Sequence, residues 1–302
     1  MAAETRALLR LVAGRSAGSF TESLGRALGV VAERMRVERF ANENLLCEAA
    51  HLRLQGAEVV YVQTSTPPVN ENLVEALFSL DAIRAARPRR LTALLPYLPY
   101  ARSDRPEAPE GPVQARLVAE LLERAGADRI VAFDLHSPQL AGFFRIPVLE
   151  LSAQRALVSA VRAWQLQDLV IASPDLGGAK RAGAAAAALG APLVLFRKQR
   201  RGREVTSELL GEVANRSVVI FDDEIATGGT MLAAARLALE RRARAVCAVA
   251  THAVFAGDVL TQFAQVGIER VLVTDTVPVR ESGHAKLEVV SVVPELAEAL
   301  AR

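Results

Sequence analysis

An apolar run, Val218-Val219-Ile220-Phe221, leads into Asp222, Asp223 and Glu224 and then into Ala226-Thr227-Gly228-Gly229-Thr230. The glycines let successive backbone N–H groups turn toward one point. The threonine hydroxyls add donors, and the N-terminus of a following helix adds a positive dipole. Together these features cradle a single phosphate. No GxxxxGK[ST] stretch occurs in the chain, so the cradle is not a Walker loop. A phosphate would repel Asp222 and Asp223, so the pair needs another partner. A sugar diol satisfies it, since each carboxylate accepts from a hydroxyl. Phosphate and diol at this spacing point to ribose 5-phosphate. The plainer alternative is a helix N-cap with acidic first-turn residues.

A second segment, Arg197-Lys198-Gln199-Arg200-Arg201-Gly202-Arg203, carries five cations in seven residues. Taken alone it reads as a solvated basic loop or a weak nucleic-acid patch, yet no aromatic residues interleave with it for stacking on bases. Only three lysines occur in the chain (Lys180, Lys198 and Lys286), so a lysine at this point stands out. An ammonium is a compact point charge rather than a planar fork.

These residues need a scaffold, and the sequence supplies one. Short β-branched runs alternate with amphipathic segments. Val59–Val62, Leu91–Leu95 and Arg129–Phe133 read as strands, with helices over Asn70–Ala86 and Val113–Ala125. The rhythm returns with strands at Leu169–Ala172, Leu193–Phe196, Val218–Phe221 and Ala245–Ala250. Helices are expected over Ala179–Leu189 and Thr230–Glu240. Strands separated by helices mean βαβ units and parallel sheets, so the fold class is α/β. The length of 302 residues favours two domains at about 150 residues each. The expected joint lies near Pro147–Ser152, giving domains 1–150 and 151–302. The last strand and helix, 287–302, are free to pack on the N-terminal domain. In such sheets ligands bind beyond the carboxyl ends of the strands. His136 follows one strand end and Asp175 another.

Composition narrows the function further. The chain is 51% hydrophobic and 23% charged, an ordinary globular mixture. Lys+Arg 36 against Asp+Glu 34 gives net charge +2, with no field to draw it onto nucleic acid or an anionic membrane. Arg6, Arg10 and Arg15 interrupt any signal-peptide core. The longest nearly apolar run, Ala182–Phe196, is broken by Gly183, Gly190 and Pro192 and falls short of the roughly 20 residues of a membrane span. Cys47 and Cys247 form no CxxC and read as inert core thiols in a reducing compartment. A cytoplasmic protein without nucleic-acid or membrane partners is expected.

The Asp222–Thr230 segment resembles the phosphoribosyl pyrophosphate signature shared by phosphoribosyltransferases and ribose-phosphate pyrophosphokinases. Four further segments are similar to the pyrophosphokinase family (phosphoribosyl diphosphate synthases), in that family's order. They are Pro67–Leu73, Leu95–Arg105, Phe133–Phe144 and Ser173–Arg181. The resemblance implies two type I phosphoribosyltransferase-like domains with central parallel sheets, ATP on the N-terminal side and ribose 5-phosphate on the C-terminal side. It implies transfer of the β,γ-diphosphoryl group of ATP to the 1-hydroxyl of ribose 5-phosphate, giving phosphoribosyl diphosphate and AMP.

The resemblance also assigns residues. Lys198 and Arg200, in what is a mobile loop of the family, would stabilise the diphosphoryl group in flight. Phe40, Asn42, Arg102, Ser103 and Asp104 would meet ATP, with Phe40 and Asn42 reaching a neighbouring subunit's site. By itself Phe40 reads as core. Asp222, Asp223, Ala226, Thr227, Gly228, Gly229 and Thr230 would hold ribose 5-phosphate. His136 and Asp175 would hold Mg²⁺ or its waters. A homo-oligomer built from dimers, typically into hexamers, is implied.

Departures from the family pattern keep alternatives open. Ala226 stands where most members have aspartate. Glu224 replaces an apolar residue, Ser103 a glutamine, and Asn44 lies near a usual glutamate. Pro106–Pro112 carries Glu107 and Glu110 and lacks a usual basic residue. These motivate a catalytically weak, regulatory paralogue. Ala226 on its own motivates a phosphoribosyltransferase.

Overall fold

A computed structural model describes residues 9–201, 204–279 and 286–301, with the side chains of 198–201 and 204–207 outside the description. The chain forms two units. One comprises Met1–Ser152, Thr276–Pro278 and Val293–Arg302, the other Ala153–Asp275 and Val279–Val292.

The first unit begins with β1 (Leu9–Ala13), α1 (Gly18–Leu28) and β2 (Ala32–Arg34). The antiparallel hairpin of β3 (Arg36–Arg39) and β4 (Leu45–Glu48) follows. The unit continues through β5 (Glu58–Val62), α2 (Val69–Ala85), β6 (Arg90–Leu94), α3 (Gln114–Arg124), β7 (Arg129–Phe133) and β8 (Val148–Leu151). Its six-stranded sheet runs β2-β1-β5-β6-β7-β8 with every pairing parallel. The central strands β1, β5, β6 and β7 are largely buried because helices cover them. In α3 the buried Ala115, Val118, Ala119 and Leu122 follow helical spacing and turn one stripe to the core. The inner face of α2 is different. It buries Asn72, Glu75 and Ser79 beside Ala76, Leu80 and Ile83, so its N-terminal half brings polar groups inward.

The second unit runs α4 (Gln154–Ala163), β9 (Leu169–Ser173), α5 (Ala179–Leu189), β10 (Leu193–Arg201), β11 (Glu204–Leu210), β12 (Ser217–Ile225), α6 (Gly229–Glu240), β13 (Ala245–Ala253), α7 (Val259–Val266), β14 (Ile268–Thr274) and β15 (Leu287–Val290). Its seven-stranded sheet has the order β11-β10-β9-β12-β13-β14-β15. All pairings are parallel except β10 with β11. Every residue of β13 is buried. Fully burying a side chain such as Phe221 stabilises by about 1.5–3 kcal/mol relative to exposure. The strand Leu287–Val290 extends this sheet, whereas α8 (Val293–Leu300) belongs to the first unit, where it packs on α1. Among the described residues, no helix is long and apolar enough to cross a membrane.

Three sequence expectations change. The strand expected over Val218–Phe221 continues to Ile225, because β13 pairs with it as far as Ile225↔Ala253. Asp222, Asp223 and Glu224 are therefore part of the strand rather than residues just beyond it. The basic segment is not simply a loop: 193–201 and 204–210 pair as a hairpin, with Lys198 opposite Ser207 and Arg200 opposite Val205. Cys47 is half-buried on β4 rather than in the core, while Cys247 is buried. Burial raises the Cys47 thiol and pushes Cys247 up to about 12, so both stay protonated at neutral pH.

Candidate active site

In the second unit the polar residues collect at the carboxyl ends of β9 and β12, which are neighbours in the sheet. β12 passes through Asp222 and Asp223, and the chain turns at Ala226–Gly228 into α6. The turn is pinned from the side, since Ile225 O and Ala226 O accept from Phe255 N (2.9 Å) and Ala256 N (3.0 Å). Gly228 caps the helix in a left-handed conformation, φ 71° and ψ −4°. A Cβ there would lie 2.4 Å from Val259 Cγ2 and 2.7 Å from Phe263 Cε1, so the position excludes a side chain on both counts. Thr227 and Gly229 are exposed and Thr230 is half-exposed, which leaves this helix start open to a ligand. The first amides of a helix lack intrahelical acceptors and suit an anion.

β9 delivers Asp175 to the same place. Ser173 Oγ donates to Asp175 O (2.7 Å), and Asp175 Oδ1 accepts from Gly178 N (3.1 Å). A Cβ on Gly178 would lie 3.9 Å from both Asp175 Oδ1 and Asp222 Oδ1, so these two carboxylates flank one point. Asp222 Oδ1 also accepts from Asp223 N (2.9 Å). Burial, with Asp223 and Asp175 close by, pushes the Asp222 carboxyl up to about 8. Asp223 is buried, and Arg181 Nη1 in the first turn of α5 stands 3.5 Å from its Oδ1. Arg181 gave no independent signal in the sequence, because nothing local tells its partner. Glu224 is buried as well and sits opposite His252 of β13.

Lys198 and Arg200 lie on β10 past Leu195, which pairs with Ser173 at the end of β9. Their backbone therefore extends beyond the carboxyl edge of β9. Their side chains lie outside the description, as do residues 202 and 203. Just below them, Arg197 Nη2 donates to Glu208 Oε2 (2.6 Å) across the hairpin.

In the first unit the candidates occupy three places. Phe40 is 45% exposed at the turn of the β3–β4 hairpin, not in the core. The turn closes through Phe40 N to Asn44 O (2.9 Å) and Asn42 Oδ1, which accepts from Asn44 N (3.2 Å). Arg102 is exposed and Ser103 half-buried on the loop after β6. Asp104 is buried, and its Oδ2 accepts from Gln139 Nε2 (2.7 Å). Gln139 follows the exposed His136 beyond β7, so this bond ties the Arg102 loop to the His136 loop. The sequence offered no reason to single out Gln139.

Asp175 supplies a carboxylate of the kind Mg²⁺ prefers, with water and substrate oxygens completing its shell. Among the described residues no three His, Cys, Asp or Glu side chains converge as a closed cage. An ion held partly by its substrate needs none, so the residues fit such an ion.

Comparison with known proteins agrees with this layout. A family model described as the N-terminal domain of ribose phosphate pyrophosphokinase matches residues 9–126. The phosphoribosyl transferase domain matches residues 143–275. The chain is 36% identical to a ribose-phosphate pyrophosphokinase of Aquifex aeolicus, over 97% of this chain and 95% of that one. It is 39% identical to one of Synechocystis sp., over 97% of this chain and 89% of that one. A crystal structure of phosphoribosylpyrophosphate synthetase from Mycobacterium smegmatis superimposes with TM-score 0.91 at 34% identity, covering 97% of both chains. Two parallel-sheet units of phosphoribosyltransferase type are thus shared along nearly the whole length. The chain belongs to the ribose-phosphate pyrophosphokinase family.

Proposed function

We propose that the protein transfers the β,γ-diphosphoryl group of ATP to the 1-hydroxyl of ribose 5-phosphate. The hydroxyl oxygen bonds to the β-phosphorus, the bond from that phosphorus to the oxygen bridging to the α-phosphate breaks, and AMP leaves. The hydroxyl proton goes to solvent. The observation that carries the reading is the open Thr227–Thr230 cradle set against Asp175 and Asp222 at neighbouring strand ends. It offers an anion site for the 5-phosphate and acceptors for the ribose hydroxyls in one place.

Family membership and the position of each residue support these roles. Thr227, Gly228, Gly229 and Thr230 bind the phosphate, and Ala226 leaves room beside it. Asp222 and Asp223 accept from the ribose hydroxyls, and Arg181 offsets the burial of Asp223. Phe40 and Asn42 present an aromatic face and an amide to the adenine, while Arg102 and Ser103 meet the phosphate chain. Asp104 acts through Gln139, fixing the loop that carries Arg102. Lys198 and Arg200 meet the charge that develops on the diphosphoryl group, which is where such transfers gain most. Mg²⁺ would be held at Asp175 in the second unit and at His136 in the first, directly or through waters, and would neutralise charge on the triphosphate. The N-terminal unit, about 1–150, serves ATP and the C-terminal unit, about 151–302, serves ribose 5-phosphate.

The site is shared between copies in a dimer-based homo-oligomer. The exposed Phe40, Val74 and Phe78 support this, since each presents apolar surface on the hairpin side of the first unit. Cys47 and Cys247, both free thiols, suit a reducing cytoplasm. Phosphorus NMR of the reaction tests the chemistry directly. A sugar 1-diphosphate and AMP in equal amounts support it; ADP with a sugar 1,5-bisphosphate contradicts it.

A further inference from the structure

The first turns of α2 gather three loops that the sequence keeps far apart. Asn70 Oδ1 accepts from the Tyr100 hydroxyl, on the loop that carries Arg102. Glu71 Oε1 accepts from Arg15 Nη2 (2.8 Å), and Glu71 Oε2 accepts from Arg39 Nη2. Glu75, one turn further on, is fully buried and accepts from Arg15 N (2.8 Å) and Nε (2.6 Å). A chain of alternating charges therefore runs Glu75, Arg15, Glu71, Arg39. Its last member is the residue immediately before Phe40.

The hairpin needs such a tie. It is a sheet of two strands, which is marginal by itself. Its base is secured by apolar packing, with Val37 and Cys47 against the core of the first unit. Its tip is polar apart from Ala41 and Phe40, the latter 45% exposed. The Glu71–Arg39 pair lies between base and tip. An isolated surface ion pair would count for little, but Glu71 is only 23% exposed and sits between two guanidiniums in a network anchored on a buried carboxylate. Arg15 and Arg39 hold the Glu71 carboxyl below the usual range, so it is ionised at neutral pH.

We propose that Glu71 is a positioning residue for nucleotide binding. Through Arg39 it fixes the tip of the β3–β4 hairpin, and with it the Phe40 ring and the Asn42 amide, before the nucleotide arrives. A loop ordered in advance spares the nucleotide the entropy of ordering it. The inference rests on the reading that this hairpin meets ATP. The effect should fall on ATP binding, not on the chemical step or on ribose 5-phosphate.

The test uses the full chain and two variants, Glu71→Gln and Arg39→Ala, with their double variant. Each single change should raise KM for ATP about three- to tenfold, with kcat and KM for ribose 5-phosphate within about twofold. The double variant should be no worse than the stronger single, because both remove one tie. Amides of 36–48 should exchange with solvent faster in both singles, while those of α2 keep their protection. Arg39 is exposed, so its variant stands if Glu71→Gln folds poorly. Hairpin exchange unchanged in both variants, or KM values for both substrates rising together, overturns the proposal. Wild-type protein that forms no AMP overturns the reading of the reaction, and with it the nucleotide half of the inference. The exchange measurement still judges the tie.

Discussion

Arg181 Nη1 stands 3.5 Å from Asp223 Oδ1, and the aspartate side chain is only 7% exposed. The buried carboxylate is the end of a strand and the arginine the start of a helix, so the pair joins the two elements that form the ribose 5-phosphate side. Arg181→Ala should lower stability by about 1–3 kcal/mol, because a buried acid loses its cation. It should also raise KM for ribose 5-phosphate more than KM for ATP. Thermal melts and steady-state kinetics check both.

Gly228→Ala meets two obstacles at once. The left-handed φ of 71° is strained for alanine, and the new Cβ would strike Val259 and Phe263. A loss of roughly 2–4 kcal/mol is expected from the sum of backbone strain and overpacking. Ribose 5-phosphate binding should disappear in whatever protein still folds. Titration calorimetry on the folded fraction measures this, and retained affinity would contradict the cradle.

Lys198→Ala should reduce turnover by about a hundredfold or more, the usual scale for one electrostatic contact to a transition state. The melting temperature should stay within about a degree, since the β10–β11 hairpin lies at the edge of its sheet. Arg200→Ala should behave alike. A turnover unchanged in both variants would remove the basic hairpin from the mechanism.

The Asp222 carboxyl carries a pH signature in the ligand-free protein. Its pKa is raised to about 8, chiefly by burial and then by Asp223 and Asp175. Between about pH 4 and pH 8 the folded state therefore holds a proton that the unfolded chain has lost. Stability from this group is complete below that window and is lost as the pH rises through about 8. The wild-type melting temperature should fall from pH 6 to pH 9, and the fall should be shallower in Asp222→Asn. Equal slopes would refute the shifted titration.

Much of the scaffold was legible from sequence because its elements are locally consistent. Arg129–Phe133 is a β-branched apolar run, and Ala179–Leu189 is an alanine-rich helix closed by Gly190 in a left-handed C-cap; both fall where the pattern set them. Charge hid the end of β12, since Asp222 and Asp223 interrupt the apolar run that marks a buried strand until pairing with β13 is known. The β3–β4 hairpin was missed outright. It has no apolar alternation, and Arg39 is satisfied by a glutamate 32 residues away.

The site divides in the same way. Thr227-Gly228-Gly229-Thr230 announces itself because a tight phosphate turn needs that local chemistry. Arg181, Gln139 and Glu71 do not, because each is defined by a partner on another element. Phe40 shows the limit of reading one residue alone: a lone aromatic suggests core, and only the turn geometry puts it on the surface.

The central claim is diphosphoryl transfer from ATP to ribose 5-phosphate. A coupled AMP-release assay on the purified protein with Mg²⁺ and ATP, with and without ribose 5-phosphate, tests it most directly. The account predicts AMP that appears only when the sugar phosphate is present. Folded protein that binds ATP yet releases no AMP with ribose 5-phosphate would contradict it and favour a regulatory role.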